Sequence, residues 1–202
     1  MRRKVFDLLA SAGGIVIALI LVVAGALAMW GYSFANSSVH DQLARQEITF
    51  PPASAFAHPK AGTEITPSMI PSVSQYAGQQ LLTGQQAKVY ANDFIAVHLS
   101  EMPYNGVYSK ISAAAMAQPN NASLKALQQT SFQGTTLRGL LLEAYAFSVF
   151  GTIAFWAGIA SFVAAAVMLA LVGLGFWHAH RTAEEAEILL HHAPIGGTAA
   201  IG

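Results

Sequence analysis

Two uncharged apolar runs, residues 13–31 and 147–177, constrain this chain more than any other feature. A bilayer's hydrocarbon core, roughly 30 Å thick, is crossed by about 20 apolar residues in a helix. The first run, GGIVIALILVVAGALAMWG, meets that length without a charge, and so does the second. About a hundred mostly polar residues lie between them. The layout predicts an all-α membrane protein, with two transmembrane helices flanking an extracytoplasmic helical domain. The expected divisions are a cytoplasmic N-terminus at 1–12 and a first span at 13–35. An outer helical domain follows at 36–137, then a long helix containing the second span at 138–177 and a cytoplasmic tail at 178–202.

Charge sets the orientation. Arg2, Arg3 and Lys4 precede the first run, and His178, His180 and Arg181 follow the second. Basic flanks mark cytoplasmic ends, so both termini are expected inside a bacterial plasma membrane. Trp30 and Tyr32 at one end, and Phe176 and Trp177 at the other, suit interfacial aromatic belts. The same N-terminus also fits a signal peptide cleaved after Ala26-Leu27-Ala28, which would leave one span and the same outer domain.

From Leu140 onward the chain is apolar for nearly forty residues, broken only by Glu143. No Pro, Asn or Asp marks a turn there, so one long helix is expected, starting near Thr135 or Thr136. Arg138 and Glu143 then lie at or above the outer interface, where charge is tolerated.

Small residues recur at helical spacing in both runs: Gly14, Ala18, Gly25 and Ala28 in the first, with Leu21 filling the gap, and Gly151, Ala154, Gly158, Ser161 and Ala165 in the second. Such stripes let helix backbones approach closely in lipid. Either the two spans pack on each other, antiparallel, or one stripe docks on another membrane protein or a second copy. Neither run carries His, Asp, Glu, Lys or Arg in its middle. Pumps, transporters and membrane haem proteins need such groups, so those classes are disfavoured for this chain alone.

Between the runs, the first helix is expected to continue through SSVHDQLARQE. Five prolines in residues 48–72 then exclude a long helix, leaving an extended segment wrapped on the domain or a flexible linker. Thr83-Gly84-Gln85-Gln86 has the form of a capping box. Ala87, Tyr90, Phe94 and Val97 follow on one helical face, and that helix should stop before Pro103. Tyr104-Asn105-Gly106 reads as a turn. Residues 107–118 read as an alanine-rich helix. Asn120-Asn121 is expected to cap another, with Leu124 and Leu127 inward and its end near Gly134.

Candidate chemistry is sparse. Ten basic residues balance ten acidic ones, and no basic patch points to nucleic acid. Without cysteine there is no disulfide, thiolate nucleophile or Cys metal site. His98 and Glu101 sit one helical turn apart, with Asp93 behind them. A two-His, one-carboxylate iron site needs His40 or His58 brought close; the plainer reading of His98 is a capping or surface histidine. His178 with His180, and His191 with His192, offer metal-like pairs. Residues 182–192 read as a short amphipathic segment, and 193–202 as disordered. Glutamines 75, 79, 80, 85 and 86 offer a polar face for a ligand or partner, or simply for water. There is no G-x-S-x-G, P-loop or G-x-G-x-x-G motif. No catalytic residue, metal ligand or cofactor is therefore assigned.

The block YAG(x5)TGQQAKVYANDFIAVHL at 76–99, the ITFPP segment and TTLRGLLLEAYAFSVFGTIA at 135–154 resemble a family of uncharacterised actinobacterial two-span membrane proteins. Some members carry an aromatic-ring-opening dioxygenase label, which the residues here do not match. The resemblance implies a location and a fold, with no catalytic residue to carry over. Three functional readings follow. The chain is an accessory subunit that binds lipid and other membrane proteins, a ligand-sensing module acting through a partner, or a metal-dependent enzyme using His98 and Glu101.

Overall fold

The computed structural model describes residues 3–60 and 63–181. Its named elements are all helical. Helix α1 covers Arg3–Ala44, and α2, Ile70–Val73, is a single turn. Helix α3, Gly84–Val89, runs through a π-helical stretch, Tyr90–Ile95, into α4, Ala96–Glu101. Helix α5 covers Tyr108–Ala117, and α6 covers Ala122–Arg181. Two of these, α1 and α6, are long and apolar enough to cross a membrane. The segments expected at 182–192 and 193–202, with His191 and His192, lie outside the described residues, as does Arg2.

The chain divides into two compact units. The first comprises residues 1–28 and 156–202. Here α1 and α6 run antiparallel, and the small residues set their contact. Gly14 faces Val172 and Met168, Gly25 faces the Phe162 ring, and Gly175 faces Ser11. Ala18 and Ala165 are buried. The Asp7 carboxylate and the His178 imidazole stand 4.0 Å apart near one end of the pair. The other faces of both helices present large apolar side chains to the outside, among them Leu19, Ile20, Val23, Val163 and Leu171.

The second unit comprises residues 29–155. Its core gathers Val39 and Leu43 of α1, Phe50, Ile65 and Met69 of the Pro-rich segment, Val73 at the end of α2, Leu81, the inner face of residues 87–95, and Leu141 of α6. Gly151 lies against Ala35 and Tyr32, and the Tyr32 and Phe155 rings meet at 5.1 Å.

Of the two readings of the Pro-rich segment, the wrapped one holds. Phe50 N donates to Gln79 O at 2.9 Å, Leu81 N to Ile48 O at 2.8 Å, and Gly78 N to Pro51 O at 3.0 Å. These bonds place 48–51 antiparallel to 78–81 and leave Phe50 only 1% exposed. Prolines that cannot extend a helix serve instead as starts of short 3₁₀ turns, as at Pro67–Met69.

The end of the chain's helical core differs from expectation. Residues 121–134 do not form a separate helix, and Thr135 or Thr136 caps nothing. Helix α6 runs unbroken from Ala122, with Asn121 Oδ1 accepting from Leu124 N at its start. Gly134 reads as a stop in sequence. In the fold the missing Cβ is the space that Leu99 occupies, so packing offsets the weak helix propensity of glycine.

Candidate functional site

The capping box forms as written: Gln86 N donates to Thr83 Oγ1 at 3.2 Å, and Thr83 N donates to Gln86 Oε1 at 3.0 Å. Gln86 does more than cap. Its Oε1 also accepts from Leu82 N, and its Nε2 donates to Gln79 Oε1 at 3.1 Å. Gln80 Nε2 donates to Ala44 O at the end of α1, and Gln75 Nε2 to Ser72 O. Of the five glutamines expected to form a polar face, four are thus tied into local backbone or one another. Gln86 itself is buried, and Gln85 is exposed. Gln75, Gln79 and Gln80 are exposed as well, so the face is polar and open to solvent while its amides brace the backbone beneath.

His98 makes a 2.9 Å hydrogen bond between Nδ1 and Phe94 O, and its ring packs edge-on against Phe94 at 4.6 Å. His40 is exposed, as is His58. Among the described residues, no three or more of His, Asp and Glu gather where they could hold a metal ion. The iron constellation of His98 and Glu101 with a second histidine is therefore not assembled.

Tyr90 packs, half-buried, against the core of the second unit between Phe50, 5.2 Å away, and Phe94, 4.7 Å away. Burial raises its phenol above the ordinary value of 10.0, and the charge of Glu64 pushes the same way. Arg138 Nη2 donates to Asn92 Oδ1 at 2.9 Å, which ties α6 to the π-helical stretch. Ser131, fully buried, donates to Gly106 O at 2.7 Å. That bond holds a tight turn in which Tyr104, Asn105 and Gly106 all have positive φ.

Two surface features stand out, and neither was marked in the sequence. The first is a groove of about 300 Å³ between the end of α1 and the middle of α6. Val39, Leu43, Leu140 and Phe147 form apolar walls, and Gln42, Gln46 and Glu143 stand at its polar side. The second is a set of exposed aromatic and apolar side chains where α5 meets the start of α6. The Tyr108 and Phe132 rings meet tilted at 5.7 Å beside Lys125, Gln128 and Gln129, and Tyr104, Val107 and Met116 of the same stretch of chain are exposed, Met116 at 72%.

The nine small residues of the two stripes are all buried or half-buried. In the first unit these are Gly14, Ala18, Gly25, Ala28, Gly158, Ser161 and Ala165; in the second they are Gly151 and Ala154. No family model matches this chain, and no curated protein or solved structure matches it either.

Proposed function

We propose that this chain is a non-catalytic integral membrane protein of a bacterial plasma membrane, an accessory subunit of a larger complex. On this reading it crosses twice with both termini in the cytoplasm, and residues 36–137 lie outside. Lipid and other integral membrane proteins, or further copies of the chain, are its partners. The likeness of residues 76–99 and 135–154 to actinobacterial two-span proteins belongs to the same proposal. The exposure of both long helices supports the membrane part. Only 17% and 11% of the most apolar windows of α1 and α6 are buried within the protein. That surface needs an apolar environment that water cannot supply.

The observation that carries the partner role is the exposure of Tyr104, Val107, Tyr108, Met116 and Phe132 in one stretch of the outer domain, with Tyr108 and Phe132 in contact. Phe132 precedes Phe147 by fifteen residues of one helix, about 22 Å at 1.5 Å per residue. Lipid in contact with Phe147 does not reach that far, so these side chains call for a protein. Aromatic and methionine side chains are enriched at the centres of protein interfaces. Purification in mild detergent should yield a stoichiometric partner, and a Phe132→Asp, Met116→Asp variant should lose it while melting unchanged. A clean monomer from wild-type membranes sinks the reading.

A further inference from the structure

Glu143 is the one charged side chain between residues 139 and 177, and the fold gives it a setting. It shares the groove of the second unit with Gln42 and Gln46. No hydrogen bond or ion pair engages these three side chains among the described residues. No basic side chain lines the groove. The polar side therefore offers one carboxylate and two neutral amides whose oxygens accept, and its only formal charge is negative, so the site favours a cation. The apolar side is continuous with an exposed apolar face. Phe147 at its edge meets Phe34 at 6.5 Å, and Phe34, Phe147 and Phe150 are 54%, 41% and 67% exposed.

We propose that this groove seats a phospholipid with a primary-ammonium head, its nitrogen on Glu143, Gln42 and Gln46 and an acyl chain along Leu140, Phe147 and Phe34. A primary ammonium carries three N–H donors, which three acceptors can satisfy. A trimethylammonium head carries the same charge and no donor, and an anionic head meets the repulsion of the Glu143 carboxylate. The depth is consistent. If Phe34 and Phe147 mark the edge of the hydrocarbon, Glu143 lies one helical turn beyond it, about 6 Å. The headgroup layer on each side is roughly 5–7 Å deep. The proposal rests on the two-span reading, so the test separates the two.

The full chain is reconstituted into bilayers of equal phosphatidylethanolamine and phosphatidylcholine, and incorporation is checked by flotation. Lipid retained on the protein is then weighed by native mass spectrometry. Retention of phosphatidylethanolamine should exceed that of phosphatidylcholine roughly tenfold, the scale of one charge-assisted hydrogen bond. Glu143→Gln should bring the two lipids level, and a Gln42→Met, Gln46→Met variant should weaken the preference. Glu101→Gln, an exposed carboxylate outside the groove, should leave it intact, and thermal melts of all variants check their folding. Equal retention by wild type overturns the proposal, as does a preference that survives Glu143→Gln or a second copy of the chain filling the groove. Failure to float with the vesicles overturns the two-span reading itself.

Discussion

Replacing Gln86 by alanine strands the amides of Leu82 and Thr83, both of which donate to its side-chain oxygen. A fully buried donor left unpaired costs about 1–3 kcal/mol, and two half-buried ones together should cost about 1–3 kcal/mol here. Thr83→Ala removes one cap bond and should cost about 1 kcal/mol. Chemical denaturation of the two variants should therefore rank Gln86→Ala as the more damaging. Tyr90 makes a pH prediction. Its phenol is raised in the folded state, so the unfolded chain gives up that proton first as pH rises. The stabilisation from a neutral Tyr90 is complete below about pH 10, the unfolded value, and is lost as pH climbs through the folded value. Tyr90→Phe keeps the ring packing and should blunt alkaline unfolding, read as a smaller drop in melting temperature between pH 9 and pH 11. A variant as sensitive as wild type contradicts this.

Among the elements, local rules told most of the story. The Thr83 capping box, the stop before Pro103 and the Asn121 cap follow from spacing alone, and the structure has each. Expectation failed where a distant contact decides. Gly134 was read as a helix end because nothing local shows that Leu99 fills the space beside it. The π-helical stretch at Tyr90–Ile95 has no composition signal. Tyr90, Phe94 and Val97 pack against the core as the simple period has them, and Ala91 and Ile95 join Ala87 inside it. The groove at Glu143 and the contact of Tyr108 with Phe132 each join segments far apart in sequence and were likewise invisible. Hydrogen exchange gives a direct check on α6. Amides of residues 132–138 should be as protected as those one turn either side. A fast-exchanging notch there would restore the two-helix expectation.

For the molecule as a whole, the first unit depends on close backbone approach between α1 and α6, and on the proposed two-span reading lipid gives these helices little other reason to associate. A side chain built at Gly14 meets Val172, and one at Gly25 meets Phe162. Gly14→Leu with Gly25→Leu should separate the helices. An intramolecular crosslink between cysteines introduced at Ser11 and Gly175 reads this as a loss of yield. Undiminished crosslinking would mean the pair is held by something else. The backbone bonds between 48–51 and 78–81 lead to another expectation. They close residues 52–77 into a lobe whose two ends are fastened to each other, while Ile65, Met69 and Val73 anchor its interior in the core. A polypeptide interrupted within such a lobe has already made its attachments on both sides of the break. Expressed as two separate pieces divided after Lys60, the protein should reassemble and co-elute, behaving as a pair of complementing fragments.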